Sequence, residues 1–149
     1  MHKTFLITLY CSLIGITNAA PKTYGDFTVS RVISVYDGDT IRVDIKDCNQ
    51  PLLCKNIGIR VHGIDTPEIR GKCIKEKRLA KQARKRMREI LAGAKTITLK
   101  NTGRGKYFRI VAQVFADGRE AGKILIDENL AYRYFGGKKT PWCKTKTAK

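Results

Sequence analysis

In the segment FTVSRVISVYDGDTIRVDI, residues 27–45, apolar residues lead in at Phe27, Val32, Ile33 and Val35, and Ile41, Val43 and Ile45 then alternate with Arg42 and Asp44. Alternation is the period of a half-buried strand, and the central Asp37-Gly38 pair is typical of a tight hairpin turn. This pattern predicts two antiparallel strands. NIGIRVHGI, residues 56–64, predicts a third strand, and CNQPLLC, residues 48–54, predicts a loop between the second and third.

The spacing changes after residue 73 to the period of a helix. Apolar residues now recur every three or four positions, at Ala80, Ala83, Met87, Ile90 and Leu91. Lysines and arginines occupy most of the positions between them. We therefore predict an amphipathic helix from Ile74 to Leu91 with one basic face, ending near Gly93.

The last third of the chain returns to strand patterns and then to a shorter helix. KTITLK, residues 95–100, and RIVAQVFADG, residues 109–118, predict strands, and EAGKILIDENLA, residues 120–131, predicts a helix. The strands arrive in hairpin pairs, which does not fit parallel βαβ repetition. The predicted fold is an OB-type, five-stranded antiparallel β-barrel with about two packed helices.

The first twenty residues have the layout of a secretory signal peptide. Lys3 is followed by an apolar run and then by small residues. The run is shorter than the ~20 apolar residues that span a bilayer. A membrane anchor or a buried first strand are the alternatives. We predict a signal peptide at 1–20, a single domain at 21–149, and a protein that is secreted or periplasmic and not embedded in a membrane.

The charge of the chain is strongly positive. The chain has 30 lysines and arginines and 13 acidic residues, giving a formal net charge of +17. Such a field favours a polyanionic partner, most commonly nucleic acid. An anionic membrane surface or a heparin-like polymer would also account for the charge.

Four cysteines remain after the predicted signal peptide, an even number that is typical of an exported domain. They allow three connectivities. We favour Cys48–Cys54, which closes a short loop, and Cys73–Cys143, which ties the C-terminus to the middle of the chain. A zinc site is the alternative, although the chain has no Cys-x-x-Cys motif.

Two acidic loops carry the candidate chemistry: DGDT, residues 37–40, and DTPE, residues 65–68. If adjacent strands bring the loops together, their oxygens suit a hard cation such as calcium or magnesium. Read separately, both are ordinary polar turns. Arg60, on the strand before DTPE, and Arg109 are suited to bind a phosphate through their planar guanidinium groups.

These motifs, in this order, resemble the staphylococcal nuclease family. DGDT, an arginine five residues before DTPE, and KYFR at residues 106–109 carry the likeness, which extends from about Arg31 to Phe135. The resemblance implies an OB-fold barrel and calcium-dependent hydrolysis of phosphodiester bonds in DNA and RNA, leaving 3′-phosphate ends.

The resemblance also implies roles for individual positions. Asp39 and Asp65 would bind Ca²⁺ through their carboxylates and Thr66 through its carbonyl, while Glu68 would position or deprotonate the attacking water. Arg60 and Arg109 would clamp the phosphate, and Lys106 and Tyr107 would lie near a terminal phosphate. Asp37, the first acid of the turn, would shape the hairpin or support the ligand residues without binding the ion itself.

The sequence departs from the family at some positions. Phe108 replaces the family's small residue between the tyrosine and the arginine. The base-stacking residue is ambiguous among Tyr132, Tyr134 and Phe135, any of which would also suit a core.

The predicted function is a secreted, calcium-dependent endonuclease that acts on DNA and RNA as a monomer. The first alternative is a catalytically inactive relative that only binds nucleic acid. Such domains typically lose acids or arginines of the site, and this chain has all of them: Asp39, Arg60, Asp65, Glu68 and Arg109. A basic protein acting on anionic membranes is a third reading, which explains the charge but not the acids.

Overall fold

The computed structural model describes residues 23–143, which form eight strands and three helices. The predicted signal peptide lies outside the described residues. The elements, in chain order, are β1 Phe27–Val35, β2 Thr40–Ile45, α1 Pro51–Cys54, β3 Ile57–Val61, β4 Gly63–Asp65, α2 Ile74–Ala92, β5 Ile97–Arg104, β6 Ile110–Ala116, β7 Arg119–Glu120, α3 Ala121–Asp127 and β8 Tyr132–Tyr134.

Five of the strands close into a barrel in the order β3-β2-β1-β5-β6, with β6 returning to β3. The predicted OB-type barrel is confirmed, with one difference in strand direction. The closing pair, β3 and β6, is parallel, whereas the other barrel pairs are antiparallel. A closed ring with an odd number of strands cannot alternate at every step, so at least one pair must be parallel.

The core fills the barrel and the space beneath α2. Ile41, Ile59, Leu99 and Val114 are fully buried strand residues. The face of α2 that the spacing predicted is buried against the barrel, at Ala80, Ala83, Met87, Ile90 and Leu91. No helix among residues 23–143 is long and apolar enough to cross a membrane.

The structure differs from the predicted elements in its loops and tail. The segment predicted as a loop contains the short helix α1, which begins at Pro51, a residue suited to a first helical turn. The second predicted helix, α3, ends at Asp127, before a turn in which Asn129 has a positive φ of 58°. The tail also contains β8, which pairs with β4.

Both favoured disulfides are present: Cys48–Cys54 and Cys73–Cys143. Their sulfurs are bonded to each other and are not available as metal-binding thiolates. The alternative of a zinc site is therefore wrong.

A buried aspartate joins the first three strands. Asp44, on β2, is 2% exposed and accepts a hydrogen bond from the Asn56 N–H at 2.8 Å. Arg31 on β1 pairs with it at 2.9 Å. The hydrogen bond from Asn56 lowers the pKa of Asp44 below its ordinary value, and Arg31 adds to this effect against the opposing effect of burial.

We expect the stabilisation from Asp44 to disappear in acid. Because its folded-state pKa is depressed, the contribution is present above the ordinary aspartate value of about 3.9 and is lost as the pH falls through the folded-state pKa. Chemical denaturation should show wild type more stable than Asp44→Asn at pH 7, with the difference shrinking below about pH 4. A difference that stays constant with pH would contradict this role.

Candidate metal and phosphate site

The first acidic loop lies in the turn between β1 and β2. The turn is closed by a hydrogen bond from Tyr36 N–H to Thr40 O at 2.9 Å. Within it, the Asp39 N–H donates to Asp37 Oδ1 at 3.2 Å. Burial raises the pKa of Asp37, opposed by the Thr40 hydroxyl and the charge of Arg60. Asp37 thus shapes the turn, in agreement with the sequence prediction.

The second acidic loop leaves β4, and the first loop is tied to it directly. The Thr66 N–H donates to Asp39 Oδ2 at 2.8 Å, across 27 residues of sequence. Asp39, Asp65 and Thr66 are all buried, with exposures of 2%, 2% and 1%. The juxtaposition of the two loops, which the sequence left open, is thereby established.

Arg60 lies between the two buried carboxylates. It forms an ion pair with Asp39, its Nη2 lies 3.7 Å from Asp65 Oδ1, and it donates to Ile64 O at 3.0 Å. Register explains the position, because Arg60 on β3 is directly opposite Thr40 on β2. Burial lowers the pKa of Arg60, with Asp65 and Asp37 acting in the opposite direction.

Half of the Glu68 side chain is exposed (50%), in contrast to the buried Asp39 and Asp65. The loop that carries it is held by Glu76, a buried residue of α2 that the sequence reading missed. Glu76 accepts hydrogen bonds from the Lys72 N–H at 2.9 Å and the Glu68 N–H at 3.4 Å. An acid in the first turn of a predicted helix was the available signal, since such acids commonly pair with free N–H groups.

The C-terminal tail adds two residues that the sequence reading also missed. Lys139 Nζ lies 2.7 Å from Asp65 Oδ1 and 3.3 Å from Glu68 Oε1. The Trp142 indole N–H donates to Asp65 Oδ2 at 3.4 Å. Burial lowers the pKa of Lys139, but its contacts with Asp65 and Glu68 outweigh this effect, and the pKa is raised overall. The disulfide of Cys143 was the sequence signal that the tail returns to this region.

A basic cleft of about 420 Å³ adjoins the acids. Arg60, Arg104, Lys106 and Arg109 line it, so the structure brings three of the predicted phosphate-binding residues together. The positive charge of Arg109 acts on the pKa of Arg60 in the same direction as burial. Tyr107 is 87% exposed, and its ring lies 5.7 Å from the Arg109 guanidinium.

The three tail aromatics have different surroundings. Tyr132 stacks on Trp142 with ring centroids 4.0 Å apart, and the Tyr134 hydroxyl donates to Gly137 O at 3.1 Å. Phe135 is 75% exposed and touches His62 edge-on. Phe135 therefore presents the most accessible ring of the three.

Fold and site together define an OB barrel with buried carboxylates beside a cleft of guanidinium groups. Oxygen ligands of this kind suit a hard divalent cation, and the guanidinium groups suit a phosphate. A family match to the staphylococcal nuclease homologues covers residues 58–148. The chain belongs to this family.

Two curated relatives are named as endonucleases. The chain is 32% identical to an uncharacterized endonuclease of Escherichia coli over 105 residues, and 31% identical to one from E. coli O157:H7. Each match covers 70% of this chain and 60% of the relative. The matched segment thus falls well short of the relatives' full length.

We predict that Gly38→Ala separates the two acidic loops. A Cβ at Gly38 would lie 2.6 Å from Thr66 Cγ2 and 3.0 Å from Ala83 Cβ, both in buried side chains. Overpacking of this kind typically costs 1–3 kcal/mol, so chemical denaturation should show a loss of about 2 kcal/mol. Gly103→Ala is the control, because a Cβ there would meet nothing within 4 Å. Equal stability of both variants would show that the close approach is not required.

Proposed function

We propose that this protein is a calcium-dependent endonuclease that hydrolyses phosphodiester bonds of DNA and RNA. The observation that carries the proposal is the joining of Asp39 to the DTPE loop by the Thr66 N–H, with Arg60 between the carboxylates. This arrangement supports a single centre in which the carboxylates would bind a cation and the arginine would bind a phosphate. The endonuclease names of the E. coli relatives support the same activity.

The donor set fits a calcium ion. Asp39 and Asp65 would bind it through their carboxylates, and Thr66 through its carbonyl. Lys139 supports this assignment, because its ammonium group already acts as a stand-in cation for Asp65 and Glu68. The buried Thr66 Oγ1 has no hydrogen-bond partner within residues 23–143, which leaves a polar atom available beside the site.

A bound calcium would polarise the phosphate and favour ionisation of a nearby water. The chain's own residues would supply the remaining roles. Arg60 and Arg109 would hold the phosphate and stabilise the charge that develops on its oxygens. Lys106 and Tyr107 would contact a neighbouring phosphate.

Glu68 would accept the proton of the attacking water, since its carboxylate is half exposed to solvent and contacts the same Lys139 ammonium as Asp65. The water oxygen would bond to phosphorus as the bond to the 5′ oxygen breaks. The products would be a 3′-phosphate and a 5′-hydroxyl, the latter taking up a proton from solvent.

The proposed setting is secreted or periplasmic, with the chain acting as a monomer after removal of residues 1–20. Two disulfides within residues 23–143 support an oxidising compartment. The net charge of +17 supports attraction to nucleic acid before any specific contact forms.

The first test is digestion of single- and double-stranded DNA with millimolar calcium and with chelator. We expect cleavage only with calcium. Glu68→Gln should lower the rate by about 10²–10⁴-fold with little effect on DNA affinity, the usual range for loss of a general base.

Glu89→Gln on α2 is the matched control, because its side chain is 49% exposed against 50% for Glu68. Its rate should be unchanged. Salt-sensitive binding of DNA without cleavage would instead identify an inactive nucleic-acid-binding relative. An equal loss of affinity and rate in Glu68→Gln would refute the general-base role.

Lys139 should compete with calcium for the carboxylates. Because its Nζ lies 2.7 Å from Asp65 Oδ1, Lys139→Gln removes a positive charge from the proposed metal site. We expect calorimetry to show calcium binding about fivefold tighter, corresponding to ~1 kcal/mol for a partly exposed pair. Lys138→Gln, with the same change of net charge, is the control. Unchanged or weaker calcium binding in Lys139→Gln would refute the competition.

A further inference from the structure

An apolar pocket of about 290 Å³ opens beside the basic cleft. It lies between the loop closed by Cys48–Cys54 and the turn that joins β5 to β6. Its lining is mainly apolar and includes Phe27, Leu52, Leu53 and Phe108, together with Arg104 and Arg109. None of the roles assigned above to the nuclease site uses the apolar part of this pocket.

Folding does not explain the side chains on the rim of the pocket. Leu52 is 82% exposed, Leu53 is 53% exposed and Phe108 is 78% exposed. Residues so exposed contribute little to a core, and clustered exposed apolar side chains typically mark a binding surface. The disulfide-closed loop holds two of them at the same edge.

Backbone conformation gives independent support for a binding role. Tyr107 and Phe108 are consecutive non-glycine residues with φ of 57° and 59°. Left-handed conformations of this kind cost on the order of 1–3 kcal/mol each and concentrate at functional sites. Phe108 therefore occupies a strained position while most of its ring remains in solvent.

The pocket is continuous with the basic cleft. Arg104 and Arg109 line both. On its other side the cleft shares Arg60 with a smaller pocket of about 140 Å³ that includes Phe135. The three together form one groove that is apolar, then cationic, then aromatic.

We propose that the apolar pocket binds the nucleobase of a nucleotide next to the phosphate held by Arg60 and Arg109. This proposal rests on the proposed function, which places a phosphate in the cleft. Sequence-tolerant binding of single strands combines a cationic path for the backbone with apolar or aromatic surfaces for the bases. A base paired in a duplex cannot enter the pocket, so the groove takes single-stranded or locally opened nucleic acid.

Charge distinguishes this occupant from a second copy of the chain. The guanidinium groups of Arg104 and Arg109 border the pocket, and a neighbouring positive chain would be repelled by them. A nucleotide presents an apolar face to the pocket and an anionic group to the arginines at once.

The test measures binding of short thymidine oligonucleotides by fluorescence anisotropy in chelator. One oligonucleotide is intact. Each of the others has a single abasic nucleotide, placed at a different position along the strand. Wild type should lose about five- to tenfold in affinity at one abasic position near the bound phosphate, within the usual range for one stacked base.

Two variants remove the pocket in different ways. Leu52→Ser combined with Leu53→Ser removes the rim of the closed loop, and Phe108→Gly removes the ring while relieving its positive φ. Both should bind the intact oligonucleotide about five- to tenfold more weakly and show no further loss at the sensitive abasic position. Ile74→Ser is the control, because Ile74 is 87% exposed and lies outside the groove.

Thermal unfolding checks that each variant is folded, and Phe108→Gly is expected to fold because its change relieves strain. The proposal is overturned if no abasic position weakens wild-type binding. It is also overturned if wild type and both variants lose affinity by the same factor at the sensitive abasic position. Failure of the proposed function gives a different result: the base-dependent binding persists, but wild type cleaves no DNA when calcium is added.

Discussion

The site depends on the burial of one carboxylate. Asp39 is 2% exposed, and its two oxygens are used by different partners: Oδ1 by Arg60 and Oδ2 by the Thr66 N–H. Burying a charged carboxylate costs free energy unless it is paired and hydrogen-bonded. Asp39 therefore needs both contacts, and losing either one would leave its buried charge less well compensated. Together they tie a β-hairpin turn to a loop far away in sequence, and Gly38 permits the close approach of Thr66 that this requires.

The barrel sets the positions of these groups. β3 carries Arg60, pairs with β2 beside the first acidic loop, and reaches β6 on its other side. The Val61 N–H also donates to Asp39 O at 2.8 Å, so backbone and side chains fix the same register. The arginine is held in place by sheet geometry.

The tail completes the acidic cluster from a second direction. The pairing of β4 with β8 supports the backbone at Asp65, and the indole of Trp142 reaches the Asp65 carboxylate. The Cys73–Cys143 disulfide connects this tail to the residue just before α2. Glu76, in the first turn of α2, holds the DTPE loop, so α2 and the tail both constrain the acids.

Local patterns were enough to predict much of the fold. Alternation located the barrel strands, and the three-to-four spacing located α2, because these periods report directly which face is buried. The acidic and basic motifs, with their family resemblance, gave the site candidates.

Strand β8 was missed because a three-residue strand has too few positions to show a period. The contacts of Lys139 and Trp142 with Asp65 lay beyond any local pattern, since chain folding alone brings these residues together. The sequence by itself thus determined the barrel strands, helix α2 and the types of chemical group, through local periodicity and residue chemistry. The tertiary structure alone decided the meeting of the two acidic loops, the parallel closure and the groove, because each depends on contacts between distant segments.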